Sequence, residues 1–195
     1  MNKTVIALMF AAVGPAFAQT APASAPGFVA RDAAQQQRIE NGLQSGQLNT
    51  GEAARLEREQ SHVDQLEAKA LRDGTVSSQE RARINAAQNR ASADIAREKH
   101  DAQRGDPNSA SSRRMQADVA RNVNQEKRIG QGLASGQLTN HEAARLEAGQ
   151  AHVAHMEAHA GNDGHVGAVE QNRIQRTENR QSQRIFKQKH DEQTK

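Results

Sequence analysis

Four histidines in the second half of the chain have the spacing that most directly suggests chemistry. They are His152, His155, His159 and His165. The first three lie three and four residues apart, so a helix would place them on one face. Imidazoles at i and i+4 can chelate Zn²⁺, Cu²⁺ or Ni²⁺ through their neutral nitrogens. The spacing therefore predicts a weak transition-metal site, and the alternative is a solvated helix face that binds no ligand.

A second set of candidate residues forms a basic stripe near the end of the chain. Its members are Arg173, Arg176, Arg180, Arg184 and Lys187. Their spacing of three or four residues places them on one face of a helix. Such a face could bind anionic lipid headgroups, lipopolysaccharide or an acidic protein. The alternative is an exposed face that is neutralised by Glu170 and Glu178.

Catalytic motifs are missing from the sequence. There is no cysteine to act as a nucleophile or thiolate ligand. His141-Glu142 matches the start of a zinc-protease HExxH pattern, but Arg145 stands where the second histidine belongs. We find no nucleophile elbow, phosphate-binding loop or dinucleotide fingerprint. The carboxylates are expected to lie on exposed faces without a buried cluster, and these features together predict a protein that is not an enzyme.

The elements that must position these residues occur twice. Residues 29–103 match residues 119–193 at 38 of 75 positions when the chain is shifted by 90 residues. Each copy shows helical hydrophobic periodicity in three segments, so we predict an all-α fold of two tandem homologous antiparallel three-helix units. The predicted boundaries are a signal peptide at 1–18, a disordered leader at 19–27, copy one at 28–103, a short flexible linker at 104–113 and copy two at 114–193.

The turns between the helices share one pattern. In the first turn Gly46 ends a helix, Leu48 faces the core, Asn49 caps the next helix and Glu52 completes a capping box. The same order recurs at Gly74-x-Val76-Ser77-x-x-Glu80, Gly136-x-Leu138-Thr139-x-x-Glu142 and Gly164-x-Val166-Gly167-x-x-Glu170. We therefore predict helix boundaries at these residues.

Polar residues on the buried side of the middle helices have a structural interpretation. Glu67 and Glu157 lie close to the apolar face of those helices. We expect each to be half-buried and paired with an arginine. The candidate partners are Arg83 or Arg90 in copy one and Arg173 or Arg180 in copy two.

Two families share features with the turns. Asp73-Gly74-x-Val76-x-x-x-Glu80 resembles the back half of an EF-hand calcium loop, but Lys69 and Leu71 stand where its first acidic ligands belong. We therefore do not expect calcium there. Leu138-Thr139-x-x-Glu142 and Leu48-Asn49-x-x-Glu52 are similar to the LTxxQ motif of periplasmic stress proteins of the CpxP/Spy/ZraP type. That resemblance implies a helical, non-enzymatic chaperone or metal-stress protein.

The first residues of the chain indicate export. Lys3, the apolar run from Val5 to Phe10 and the sequence Ala16-Phe17-Ala18 have the pattern of a cleaved secretory signal peptide. The absence of cysteine suits an oxidising compartment. We therefore predict a periplasmic or secreted protein that does not span the membrane.

The apolar content restricts the possible partners. The chain has four Phe and neither Trp nor Tyr, which leaves a thin core that would gain from burial in a homodimer. We predict a helical binding or stress-response protein, chaperone-like in character, whose partner is a protein or envelope component and not nucleic acid. The alternatives are transition-metal binding by the histidines and anion binding by the basic stripe.

Overall fold

The computed structural model describes residues 24–191, and in that range it consists of six α-helices without a strand. This confirms the all-α class. None of these helices combines the length and the apolar character that crossing a membrane requires. The helices are α1 (Ala25–Gln44), α2 (Thr50–Ala70), α3 (Ser78–His100), α4 (Ala110–Ser135), α5 (Asn140–Ala160) and α6 (Ala168–Lys189).

The predicted turn chemistry is confirmed in both copies. The side chains of Asn49, Ser77 and Thr139 each accept a hydrogen bond from the backbone N–H of the glutamate three residues later. The four turn glycines at positions 46, 74, 136 and 164 have positive φ angles between 70° and 87°, a conformation that side chains with a Cβ disfavour. Local sequence therefore sets where each helix begins and ends.

The middle helices of the two copies, α2 and α5, pack against each other along their length. At the centre, the Ser61 hydroxyl donates a 2.8 Å hydrogen bond to the carbonyl oxygen of Ala151, its own counterpart in copy two. Nearer one end of the pair, Nδ1 of His141 donates to the carbonyl oxygen of Arg72 at 3.0 Å. The beginning of α5 therefore lies at the end of α2, and the two helices are antiparallel.

The first helices, α1 and α4, form a second pair of the same kind. Lys127 Nζ lies 3.5 Å from Oε1 of Gln37, which is again its counterpart in the other copy. A residue meets its own counterpart in an antiparallel pair when a two-fold rotation relates the two halves. The two copies thus form an intramolecular pseudo-dimer, in which one copy covers the apolar face of the other.

The core belongs to both copies. One apolar cluster contains Ile39 and Leu56 of copy one together with Met115 and Val166 of copy two. A second cluster joins Val29 and Leu71 of copy one to a set from copy two that includes Ile129, Leu146 and Ile185. The burial that we expected from a homodimer is therefore supplied within one chain.

The predicted leader and linker differ from the structure at their boundaries. The predicted signal peptide, 1–18, and residues 19–23 lie outside the described residues. Residues 25–27, expected to belong to a disordered leader, form the first turn of α1, and Ala25 is buried. Helix α4 begins at Ala110, inside the predicted linker, because Ser109 accepts a capping hydrogen bond from the N–H of Ser112.

The connection between the copies is also docked on the core, which corrects the expectation of a flexible linker. The N–H of Gly105 donates a 3.0 Å hydrogen bond to the carbonyl oxygen of Gly46. A Cβ on Gly105 would lie 2.3 Å from the carbonyl oxygen of Leu48, so only glycine fits this approach. Ser111 is buried and accepts a 2.8 Å hydrogen bond from the N–H of Val166. These contacts fix the path of the chain between the copies.

Candidate functional site

Helices α5 and α6 form a surface pocket of about 380 Å³ whose charged lining is entirely basic. We call it the arginine pocket. It is lined by Arg145, Ala148, Gly149, His152, Thr177, Arg180, Gln181 and Arg184. No carboxylate belongs to this lining. Three guanidinium groups and one imidazole around one concavity produce a positive potential.

Gly149 allows α6 to approach α5 at the floor of this pocket. A Cβ at this position would lie only 2.1 Å from Oε1 of Gln181. The Gln181 side chain fills that space and donates a 2.7 Å hydrogen bond to the carbonyl oxygen of Leu146. The floor is therefore held by a buried hydrogen bond, and the basic side chains surround it.

Two of the three arginines of the pocket donate hydrogen bonds to side chains other than carboxylates. Nη2 of Arg180 donates to the Thr177 hydroxyl at 3.1 Å, and Nη2 of Arg145 donates to Nε2 of His141 at 2.8 Å. The ion pairs found among residues 24–191 involve none of the pocket arginines. Their charge is consequently not neutralised by a neighbouring carboxylate.

The equivalent surface of copy one has a mixed charge. Glu59 stands at the position of Gly149, and Asp94 stands at that of Arg184. Burial and the nearby Asp94 carboxylate raise the pKa of Glu59 to about 7. Arg97 pairs with Asp94, and Arg55, the counterpart of Arg145, pairs with Glu98 at 3.4 Å. A lining without a carboxylate is thus specific to the copy-two pocket.

The basic stripe lies on the exposed face of α6, as the sequence spacing suggested. Arg180 and Arg184 contribute to the arginine pocket, whereas Arg173 lines a neighbouring cleft. Glu178, considered as a surface partner of the stripe, is instead buried and accepts a 3.1 Å contact from Nε of Arg121. It is therefore not available to neutralise the exposed arginines.

The four candidate histidines are all exposed, but they do not share one site. His152 lines the arginine pocket, while His155 and His159 line a cleft that also contains Glu170 and Arg173. Within residues 24–191, the groups of three potential metal ligands that lie close enough together consist only of carboxylates. Metal binding by the histidines stays a prediction.

Carboxylates inside the core are the feature that the sequence analysis missed, and the expectation that they are all exposed was wrong. Apart from the capping residues Glu52 and Glu142, the buried set comprises Asp32, Glu57, Asp64, Glu67, Asp118, Glu126, Glu147, Glu157 and Glu178. Their common property is a position on the inner face of a helix, and burial raises the pKa of each. A signal was present, because Glu57, Asp64 and Glu67 follow the same helical period as the apolar residues of α2.

The predicted pairing of Glu67 and Glu157 with arginines is also wrong. Both carboxylates are fully buried and accept hydrogen bonds from amides instead. Nε2 of Gln88 donates to Glu67 at 3.0 Å and to Asp32 at 2.7 Å, and Nδ2 of Asn122 donates to Glu157 at 2.7 Å. The candidate arginines Arg83, Arg90, Arg173 and Arg180 are exposed. An amide avoids the cost of burying a second charge.

Three of the buried carboxylates converge between helices. Asp64 of α2, Glu126 of α4 and Glu147 of α5 each offer an oxygen, and these atoms lie within 4.8 Å of one another. We call them the carboxylate cluster. Burial and, to a lesser extent, the nearby Asp32 carboxylate raise the pKa of Glu126 to about 8. For Asp64 and Glu147 burial is again the largest cause of a raised pKa, followed by the Glu126 charge.

No protein-family model, curated protein or solved structure matches this chain. The resemblance of the turns to periplasmic stress proteins therefore rests on the turn residues alone. Three features of the described residues bear on function: the arginine pocket, the cleft lined by His155 and His159, which we call the histidine cleft, and the carboxylate cluster.

Proposed function

We propose that this chain is a non-enzymatic, exported helical binding protein that holds a phosphate-bearing component of the cell envelope in the arginine pocket. The observation that carries this proposal is the lining of the pocket, which contains three arginines and a histidine without a carboxylate. The same surface in copy one carries Glu59 and Asp94. Copy one therefore provides an internal comparison in which the fold is the same and the charge is not.

Phosphate is the anion that this donor set suits best. A guanidinium offers a planar pair of N–H donors that matches two phosphate oxygens, and charge-assisted hydrogen bonds of this type are stronger than neutral ones. The Thr177 hydroxyl at the same pocket donates to the carbonyl oxygen of Arg173 at 3.2 Å and accepts from Arg180, so it orients that guanidinium. Arg173, Arg176 and Lys187 extend the positive charge along α6 beyond the pocket. This extension favours an anionic lipid surface over a single small ion.

The exposed apolar residues support the same choice. Across the described helices, the large exposed hydrophobic side chains are Val169 and Phe186, both on α6. Phe186 is next to Lys187 in the sequence and stacks on His190 with ring centroids 4.2 Å apart. A helix that combines basic residues with an exposed aromatic ring can lie at a headgroup boundary. Chaperone-like binding of unfolded clients would call for a broader apolar surface.

Co-sedimentation with vesicles tests this function. We expect the protein to bind vesicles containing phosphatidylglycerol and not vesicles of phosphatidylcholine alone, with binding that weakens steeply between about 0.1 M and about 0.5 M salt. Arg184→Asp, which introduces the copy-one residue, should reduce binding about tenfold. The matched control is Arg90→Asp, at the copy-one counterpart of Arg180, which should leave binding unchanged.

Competition with inorganic phosphate distinguishes the two sources of the ligand chemistry. Displacement of the protein from vesicles by millimolar phosphate would indicate a site for the free ion, whereas retention on the vesicles would indicate the lipid headgroup. Vesicle binding that is indifferent to salt, or equal binding by the Arg184→Asp variant, would contradict the proposal.

The histidine cleft supports a second candidate function, the binding of a transition metal. His155 and His159 are one helical turn apart and line one cleft, which gives two nitrogen donors. Glu170 lines the same cleft but does not form a close group of three ligands with them. Titration with ZnCl₂ should shift the NMR signals of both imidazoles at micromolar metal, and His155→Ala should abolish the shift at His159. Unchanged histidine signals at that concentration would exclude this function.

A further inference from the structure

The carboxylate cluster contains acceptors without donors. Glu147 is fully buried, and neither of its carboxylate oxygens has a hydrogen-bond partner among the described residues. Oε2 of Glu126 is likewise buried and without a partner. Buried carboxylates normally accept hydrogen bonds or pair with a cation, because taking an unpaired negative charge out of water is costly. The cluster therefore lacks the partners that its chemistry requires.

Gln150 provides an independent observation at the same place. It lies on α5, three residues after Glu147, and only 3% of its surface is exposed. Neither its Oε1 nor its Nε2 has a hydrogen-bond partner of good geometry. Its amide nevertheless lies beside Glu126, where it lowers the pKa of that carboxyl group. An unpaired, buried amide is thus directed at the cluster with its N–H group toward Glu126, and a half-turn of the amide plane would present its Oε1 to a bound ion.

The counterpart in copy one shows that the fold does not require three acids here. The equivalents of Asp64, Glu126 and Glu147 are Ala154, Gln36 and Glu57. There, Nε2 of Gln36 donates a 2.9 Å hydrogen bond to Oε2 of Glu57. Oε2 of Glu57 therefore has an amide donor, whereas both oxygens of Glu147 have none. At the cluster, Glu126 stands in place of the amide and Asp64 of copy one stands in place of Ala154 of copy two.

The charged groups that face the cluster from neighbouring helices are also acidic. Asp32 of α1 and Glu57 of α2 act on Asp64, and Asp32 also acts on Glu126 and Glu147. Glu67 of α2 lies close enough to Glu147 for the two to repel each other. No lysine or arginine is among the charged groups that perturb the three cluster residues.

A groove between α1 and α4 borders the cluster. It has a volume of about 460 Å³ and is lined mainly by small residues, among them Ala30, Ala33, Ala34 and Gly130. Glu126 forms part of the same lining. Glu126 is itself only 2% exposed, so the groove ends at one member of the cluster.

From these observations we propose that Asp64, Glu126 and Glu147, together with the amide oxygen of Gln150, form a binding site for a hard divalent cation. Ca²⁺ and Mn²⁺ are the ions that this donor set fits. All the donors are oxygens, which hard cations prefer, whereas sites for Zn²⁺ and Cu²⁺ normally include nitrogen or sulfur. Oxygens that share one Ca²⁺ at about 2.3–2.6 Å lie at most about 5 Å apart, and the 4.8 Å limit on the cluster meets that condition.

Calorimetric titration of the purified chain with CaCl₂ and with MnCl₂, at about pH 7.5 after removal of metals, tests the site. We expect saturable binding of one ion per chain and a rise in melting temperature on addition of the ion. The double variant Asp64→Ala/Glu126→Gln reproduces the copy-one arrangement around Glu147. It should lose binding by at least about tenfold while its circular dichroism spectrum stays helical.

Two controls make the outcome specific. Glu98→Gln changes the other acidic group, formed with Glu52 and Asp101, and should leave the affinity unchanged. Asp73→Asn changes the turn that resembles an EF-hand loop and should also leave it unchanged. Absence of heat and of thermal stabilisation at millimolar Ca²⁺ and Mn²⁺, or undiminished binding by a folded double variant, would overturn the proposal. Because this site is separate from the arginine pocket, vesicle binding by the double variant tests the two proposals independently.

Discussion

The carboxylate cluster and the equivalent site around Gln36 and Glu57 occupy matching places in one shared core. They differ in the number of buried carboxylates that they contain. In copy one, the amide of Gln36 donates a hydrogen bond to the carboxylate of Glu57. On the other side, Glu126 replaces the amide and Asp64 replaces an alanine. Two substitutions therefore separate a carboxylate that has an amide donor from a group of three carboxylates. The difference teaches that duplication preserved the helices while the two inner surfaces acquired separate chemistry.

The outer surfaces of the two copies also differ in charge, and here copy two has fewer carboxylates than copy one. Because of Glu59 and Asp94, the copy-one surface carries both negative and positive groups. Gly149 and Arg184 stand at these positions in copy two, so the arginine pocket has only positive groups. Both changes lie at helix positions that the fold tolerates, because the capping turns and the apolar contacts are common to the two copies. The two halves of one molecule therefore serve as controls for each other.

The largest expected effect is a loss of stability as pH rises. Burial raises the folded-state pKa of Asp32 to about 6, of Glu57 to about 7 and of Glu126 to about 8. A carboxyl group with a raised pKa contributes its full stability below its unfolded pKa of about 4, and this contribution is lost as pH rises through the folded pKa. Urea unfolding in EDTA should show a free energy of unfolding about 3 kcal/mol or more lower at about pH 8.5 than at about pH 5.

Two additions sharpen the pH experiment. The Asp64→Ala/Glu126→Gln variant should show a shallower decline, because it removes two of the groups that titrate. Millimolar Ca²⁺ should restore stability to the unsubstituted protein at about pH 8.5 and not to this variant. Stability that is constant or rises between these two pH values would contradict the assignment of protonated carboxyls in the core.

Introducing a carboxyl group at Gln36, the copy-one equivalent of Glu126, should have the next largest effect. Gln36→Glu replaces the donor to Glu57 with a second carboxyl and so abolishes the 2.9 Å hydrogen bond. We expect a destabilisation of about 3 kcal/mol at neutral pH, measured by urea unfolding, because it leaves uncompensated charge in the core. The reciprocal change, Glu126→Gln, should stabilise the metal-free protein. An unchanged free energy of unfolding in Gln36→Glu would mean that the two sites are not electrostatically different.

A smaller effect, equal in the two copies, is expected at a glycine that both copies share. Gly42 and Gly132 lie in α1 and α4, and a Cβ at either would come within 2.6 Å of Cδ1 of Leu48 or Leu138, respectively. Gly42→Ala and Gly132→Ala should therefore each destabilise the protein by about 1–2 kcal/mol, measured by thermal unfolding. Unequal losses would show that the copies differ in packing as well as in charge.

The smallest effect concerns a helix cap in which the copies differ. Ser77 caps α3 through its side chain, whereas Gly167 at the equivalent position of α6 has no side chain to do so. Glu170 already accepts a 2.8 Å hydrogen bond from the Gly167 N–H. Gly167→Ser should thus stabilise α6 by about a few tenths of a kcal/mol, and Ser77→Gly should cost a similar amount in α3. A change of opposite sign in melting temperature would contradict this account of the cap.

Local features of the fold could be predicted from the sequence, because they depend on neighbouring residues. Thr139 and Glu142 are three residues apart and form a capping box through their own backbone, so α5 begins where the sequence predicted. The exposed face of α6 could be predicted in the same way from the spacing of Arg173 to Lys187. The arginine pocket could be predicted only in part, because Arg145 and His152 belong to a different helix from Arg180 and Arg184.

The sequence by itself determined an all-α chain with two matching copies, helix boundaries at capping turns and a basic face on the last helix. Only the tertiary structure decided that the two copies share one core, since antiparallel pairing of α2 with α5 and of α1 with α4 depends on contacts between distant residues. That pairing brings Asp64, Glu126 and Glu147 together from three helices. A carboxylate near the edge of an apolar face can lie in solvent or in the core, and the partner helix determines which, because it is the partner that excludes water.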